Sequence, residues 1–217
     1  MIYLVDNTLD GNGASPREIA AALGRIAPDV PVVVEHLSRV TRARVDELGP
    51  SHIILSGQSH PWTMYSPESL AGVFDVIRGA EQPVLGVCGG HQQIALCHGA
   101  TVGLIRRIAP GDGYEGAFRE RGFVDVDVCG DGPFAGLPGR IAVWASHCDE
   151  VKELPPGFEL VASNPTSPIQ AMRHASRPVF GVQFHPELFD DAHPHGRSVL
   201  DGFLALGVPG GARARAC

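Results

Sequence analysis

The sequence predicts an α/β fold: a doubly wound, mostly parallel sheet flanked by helices, with a small antiparallel or mixed sheet added in the second half. Three observations predict it. Short apolar runs at 2–5, 32–34, 52–55 and 84–87 alternate with helix-length segments through the first half of the chain, the order expected of parallel strands joined by crossover helices. Several of these runs, such as IYLV and VLGV, are continuously apolar, as in strands buried on both faces. After residue 100 the rhythm changes to short strands separated by Pro and Gly pairs, which points to antiparallel connections.

Each element follows from local chemistry. The first strand, 2–5, ends at Asp6-Asn7 and gives way to a Gly-, Asn- and Asp-rich loop over 8–15. Ser15-Pro16 reads as a helix start, with Ser15 as N-cap and Pro16 in the first helical position. Ile19, Ala20, Leu23 and Ile26 then mark the apolar face, and Pro28 ends the helix. Val32 to Val34 form the second strand, and 42–48 is a short charged helix before Gly49-Pro50. The third strand, 52–55, runs into the loop SGQSHPW at 56–62. Loops at the carboxyl ends of parallel strands are where open α/β sheets hold ligands. A helix over 67–78 follows, with Ser66 as a candidate N-cap. In the second half, strands are expected at 102–104, 122–128, 141–145, 158–162, 169–173 and 179–182, with a closing helix over 196–206. Residues 1–207 read as one domain, and 208–217, VPGGARARAC, as a flexible tail.

Composition narrows the function. A chain of 217 residues can bury a sizeable core. Its net charge of −7 and pI of about 5.8 give no nucleic-acid footprint. No apolar run is long enough to span a bilayer, and MIYLV meets Asp6 too soon for a signal peptide. The five cysteines (88, 97, 129, 148 and 217) are odd in number and form no CxxC pair. Neither a disulfide framework nor a zinc knuckle is indicated, and the cytoplasm is the simplest compartment. His185, His193 and His195 match no common zinc spacing, so neither metal nor cofactor is expected.

The fold is organised around PVLGVCGGHQQ. A buried strand, 84–87, runs straight into Cys88, then Gly89-Gly90, then an apolar-periodic helix. That is the layout of a nucleophile elbow, which lifts a side chain above the carboxyl end of the sheet. The helix start behind it offers free backbone N–H groups that suit a thiolate and an oxyanion. A second cluster, Gln183-Phe184-His185-Pro186-Glu187, follows the strand 179–182 and so also sits at a strand end. His185 can act as base for the Cys88 thiol and Glu187 can orient its imidazole, the logic of a triad for covalent acyl transfer.

GVCGGHQ and VQFHPE, in this order, resemble the paired motifs of the class I (triad-type) glutamine amidotransferases. The likeness covers nearly the whole chain. The opening LVDN is similar to the amidotransferase subunits of anthranilate and aminodeoxychorismate synthases, whereas RERGF at 119–123 and WASH at 144–147 resemble segments of GMP synthetases. The resemblance implies a flavodoxin-like sheet and glutamine hydrolysis through a γ-glutamyl thioester on Cys88, with ammonia passed to a separate synthase subunit. It implies an oxyanion hole built from the N–H of Gly89 and a donor from the loop carrying Gly57 and Gln58. It further implies that Gln92 holds the glutamyl part, and that Ser146 and His147 contact its amino-acid end. The chain departs from the family at two points: Gln58 stands where the GGPG-like loop has a second glycine, and Cys148 replaces the glycine of SHGD. Two other functions stay open, a free-standing hydrolase of substituted γ-glutamyl amides and a non-catalytic binding module retaining the fold.

Overall fold

The computed structural model describes residues 1–207; the expected tail, 208–217, lies outside the described residues. The strands are β1 (Ile2–Asp6), β2 (Val32–His36), β3 (His52–Leu55), β4 (Val84–Val87), β5 (Val102–Leu104), β6 (Glu120–Val128), β7 (Arg140–His147), β8 (Asp149–Val151), β9 (Phe158–Ser163), β10 (Ala171–His174) and β11 (Val179–Val182). The helices are α1 (Ala14–Ile26), α2 (Arg42–Leu48), α3 (Pro67–Gly79), α4 (Gly89–Cys97) and α5 (His195–Leu204). Nine strands form one sheet in the order β2-β1-β3-β4-β11-β10-β9-β6-β7, and β5 pairs with β8 in a separate antiparallel sheet.

The five strands from β2 to β11 are mutually parallel. From β11 outward, the pairs with β10, β9, β6 and β7 are antiparallel. β1, β3, β4 and β11 are buried along their full lengths, which accounts for their continuous apolar runs. Alternate side chains divide between two cores. Tyr3 and Val5 pack with Val45, Val73 and Ile94 on one face, whereas Ile2 and Leu4 pack with Ile19, Leu23, Val199 and Phe203 on the other. Helices α2, α3 and α4 thus cover one face, and α1 and α5 the other.

Boundaries differ from expectation where long-range contacts decide them. Ser66 caps α3 as read, accepting a hydrogen bond from the Ser69 N–H. Ser15 does not cap α1: the helix begins at Ala14 behind Gly13, because the Ser15 hydroxyl is engaged by the Gly57 N–H at 2.9 Å. Strands β6 and β7 run longer than their apolar cores, since their ladder reaches Glu120↔His147 and Asp127↔Arg140. Strand β10 begins at Ala171 rather than residue 169, beside a register shift between Ala171 and Met172. The closing helix spans His195–Leu204 and ends two residues early. No helix among the described residues is long and apolar enough to cross a membrane.

Candidate active site

Sheet register assembles the site. Val87 of β4 lies beside Val182 of β11 in parallel register, so Cys88 and Gln183 leave the sheet side by side. The Cys88 N–H donates to Val182 O at 2.8 Å, continuing that ladder into the elbow. Next door, Leu55 of β3 pairs with Gly86, which sets Ser56-Gly57-Gln58 against the same edge. Cys88 is the only non-glycine residue at positive φ among the described residues, at φ 50° and ψ −101°. This region costs an L-residue on the order of 1–3 kcal/mol and is held only where the surroundings over-determine it.

The surroundings do so through glycine. A Cβ on Gly86 would stand 2.4 Å from the backbone of Gly90, and one on Gly90 would stand 2.3 Å from Leu55 O. The start of α4 is thereby pressed onto β3 and β4. The next residue, His91, is wholly buried. Burial pushes its pKa down to about 3, so it packs as a neutral group under the elbow.

His185 and Glu187 meet Cys88 from β11. The His185 N–H donates to Trp144 O at 2.7 Å, which ties this segment to β7. Its Nδ1 donates to Glu187 Oε1 at 2.8 Å, and Glu187 is 1% exposed. Burial opposes charging of the His185 imidazole, but the Glu187 carboxylate and the Cys88 sulfur outweigh it and hold the pKa well above its usual value. Gln183 Nε2 also approaches Cys88 Sγ, at 3.7 Å. Cysteine, imidazole and carboxylate can therefore work as nucleophile, proton carrier and orienter.

The neighbouring loop contributes backbone donors. The N–H of Gly57, expected to face the substrate, is instead given to Ser15 Oγ. That leaves the N–H of Gln58. A Cβ on Gly89 would fall 2.5 Å from Gln58 N, so the Gln58 and Gly89 main chains lie against each other beside the sulfur. Gln58 stands at ordinary φ, so a side chain there costs no backbone strain. A Cβ on Gly57 would lie 3.5 Å from His185 Cε1, which brings the loop, the imidazole and the elbow to one point.

These residues line a cavity of about 450 Å³ that also includes Tyr114, Arg119, Ser146 and Cys148. The residues expected to hold the glutamyl group lie here, with the polar atoms of Gln92 and His147 already partnered. Gln92 Oε1 accepts from Trp62 Nε1 at 2.8 Å and from Gln58 Nε2 at 3.3 Å. Its Nε2 donates to Asp149 O and Gln183 Oε1. His147 is 4% exposed, with Nδ1 at 2.8 Å from Asp149 O and Nε2 at 2.8 Å from Glu120 Oε2. Glu120 also accepts from Asn164 and Gln170. Burial alone would raise its pKa, but these bonds and the one from His147 lower it. His193 stacks on Phe123 with ring centroids 3.6 Å apart, and His195 Nδ1 accepts from the Ala142 N–H, so each has a local packing role.

Comparison with known proteins gives the family. The family model described as "Glutamine amidotransferase class-I" matches residues 16–205. The chain belongs to the class I glutamine amidotransferase family. The glutamine-hydrolysing GMP synthase subunit of Pyrococcus abyssi is 38% identical over 75% of this chain and 78% of its own. Its counterpart from Thermococcus kodakarensis is 44% identical over 57% of this chain, and the match spans 60% of that protein's length. Among solved structures, a putative GMP synthase subunit from Thermoplasma acidophilum superposes with a TM-score of 0.76 at 30% identity, covering 94% of this chain and 91% of its own. A glutamine amidotransferase from Thermotoga maritima, at 20% identity and a TM-score of 0.66, shares the fold over 86% of this chain and 75% of its own.

Sequence reasoning missed Tyr114, Asp149 and the Ser15 hydroxyl. Asp149 stood in view, following the SHC segment. Tyr114 carried no signal, since a tyrosine in a Gly- and Asp-rich loop reads as a turn residue, and only the folded chain returns it to the cavity.

Proposed function

We propose that this amidotransferase hydrolyses the side-chain amide of glutamine and supplies the ammonia to a separate synthase subunit. One observation carries the reading: a cysteine held at positive φ acts on the imidazole of His185, whose Nδ1 is bonded to a buried carboxylate. The Cys88 sulfur attacks the amide carbon, and the developing oxyanion is met by the N–H groups of Gly89 and Gln58. His185, charged in the resting pair, gives its proton to the departing nitrogen, and ammonia leaves a γ-glutamyl thioester. Water then attacks the thioester as His185 takes its proton. Glutamate departs and the sulfur is regenerated.

The relatives named as glutamine-hydrolysing GMP synthase subunits support a synthase of that kind as recipient. In this reading Gln92, Ser146 and His147 form the wall of the glutamyl subsite, with His147 acting from behind through its bond to Asp149 O. The four free thiols among the described residues support a reducing, cytoplasmic setting.

The departures at Gln58 and Cys148, in a cavity of about 450 Å³, favour a second reading, a free-standing hydrolase of N-substituted γ-glutamyl amides. Glutamate release from glutamine and from a γ-glutamyl anilide, with and without an added partner subunit of a GMP synthase, separates the two. Weak activity alone that rises with the synthase supports the first reading. Full activity alone with preference for the anilide supports the second. Activity that survives Cys88→Ala contradicts both.

A further inference from the structure

The segment between β5 and β6, residues 105–119, folds back over the cavity and brings Tyr114 against the oxyanion loop. The Tyr114 hydroxyl donates to Asp149 Oδ2 at 2.8 Å and accepts from Gln58 Nε2 at 3.0 Å. Burial and the adjacent carboxylate keep the phenol protonated, so the direction of both bonds is fixed. The loop itself is held. Arg107 Nη1 donates to Glu115 O at 2.9 Å and Nη2 to Gly113 O at 3.3 Å, and Arg107 bridges to Ala117. Asp149 is anchored in β8, where it pairs with Leu104 of β5. Tyr114 is therefore braced on both sides, by its own loop and by β8.

Gln58 is the residue that this arrangement meets. Its main chain and its Oε1 both cover Gly89: a Cβ on that glycine would lie 2.5 Å from Gln58 N and 2.6 Å from Gln58 Oε1. Apart from Tyr114, the Gln58 Nε2 has, among the described residues, only a 3.3 Å contact to Gln92. A long side chain in an otherwise open cavity keeps several rotamers unless something fixes it, and an oxyanion donor works only when its aim is fixed before the reaction.

We propose that Tyr114 and Asp149 are positioning residues that strap the Gln58 side chain and thereby aim the Gln58 N–H at the oxyanion. The strap does from across the cavity what backbone freedom would do for a glycine at this position. The inference rests on the reading of Cys88 as nucleophile and Gln58 N–H as oxyanion donor.

The test is a double-mutant cycle on the full chain, read by glutaminase kinetics and by the rate of Cys88 alkylation with iodoacetamide. Alkylation is a displacement at carbon that forms no oxyanion, so it reports the thiol alone. Tyr114→Phe is expected to lower kcat about tenfold, a fraction of the roughly 10²- to 10³-fold lost with a whole oxyanion donor. KM and the alkylation rate should stay within about twofold. In a Gln58→Gly background the same substitution is expected to cost less than about twofold, because no side chain remains to strap. Asp149→Asn, which keeps an acceptor for the phenol, is expected to retain more kcat than Asp149→Ala. An unchanged kcat in Tyr114→Phe, or equal losses in both backgrounds, overturns the strap. A slowed alkylation alongside the loss in kcat shows that the thiol itself was disturbed and also overturns it. Absence of Cys88-dependent turnover in the parent chain, with the synthase subunit added and with the γ-glutamyl anilide as well as glutamine, overturns the nucleophile reading, and the strap with it.

Discussion

Cys88 keeps a backbone conformation that an L-residue rarely adopts, at φ 50°, and the strain is stored where the sulfur must project from the sheet. Cys88→Gly and Cys88→Ala both remove the thiol, but only glycine removes the strain. The glycine variant is expected to be more stable than the alanine variant by about 1 kcal/mol, measured by urea denaturation, and both are expected to be inactive. Equal stabilities contradict the stored strain. His185 makes a pH-dependent contribution. Its folded pKa is raised through Glu187 and Cys88 against the opposing effect of burial. The stability it contributes is therefore complete below its unfolded pKa of about 6.5 and is lost as pH rises through the raised folded value. Comparing the parent with Glu187→Gln, the stability gap is expected to be widest below about pH 6.5 and to narrow as pH rises through the raised folded value. A gap that widens with pH contradicts this assignment. At this scale the sequence placed Cys88, His185 and Glu187 just beyond the ends of β4 and β11, because each lies in a short motif after an apolar run. It was silent on Tyr114, whose role depends on a loop returning across the cavity.

Glycines decide how the helices meet the sheet. A Cβ on Gly90 would strike Leu55 O at 2.3 Å, whereas one on Gly24, within α1, would meet nothing within 4 Å. Gly90→Ala is accordingly expected to destabilise the fold by roughly 1–3 kcal/mol and to displace the nucleophile. Gly24→Ala is expected to stabilise it by roughly 0.5–1 kcal/mol through helix propensity alone. Denaturant midpoints of the two variants check the pair, and a shift in the same direction for both contradicts the packing described. Local pattern predicted β3, β4, β5, β11 and α2 to the residue, since turn residues or abrupt changes in apolarity bound them. It misread the start of α1, where Ser15 had the chemistry of a cap but a partner 42 residues away, the Gly57 N–H. It also shortened β6 and β7, whose ends are polar and are held by pairing with each other.

At the scale of the whole molecule, the site exists because parallel strands deliver their carboxyl-end loops to one edge, after which the sheet turns antiparallel and closes the cavity with β6 and β7. The doubly wound half was legible from the alternation of apolar runs and helices. The continuation of one nine-stranded sheet into the second half was not, because strand order there depends on pairings between β9, β6 and β7 that no local spacing encodes. The buried pair behind the cavity, His147 and Glu120 at 2.8 Å, links β7 to β6. Glu120→Ala, which leaves the histidine buried without its partner, is expected to cost about 3–5 kcal/mol in urea unfolding. A loss under about 1 kcal/mol contradicts a structural role for the pair.

Everything proposed for this site turns on whether Cys88 carries the glutamyl group during turnover. Rapid acid quench of the protein with glutamine, followed by peptide mass spectrometry, tests it directly. The expected result is a γ-glutamyl adduct on the peptide containing Cys88, formed in the parent, lost in Cys88→Ala and discharged by hydroxylamine. Glutamate formation with no adduct on that peptide, or an adduct on Cys148 instead, would contradict it.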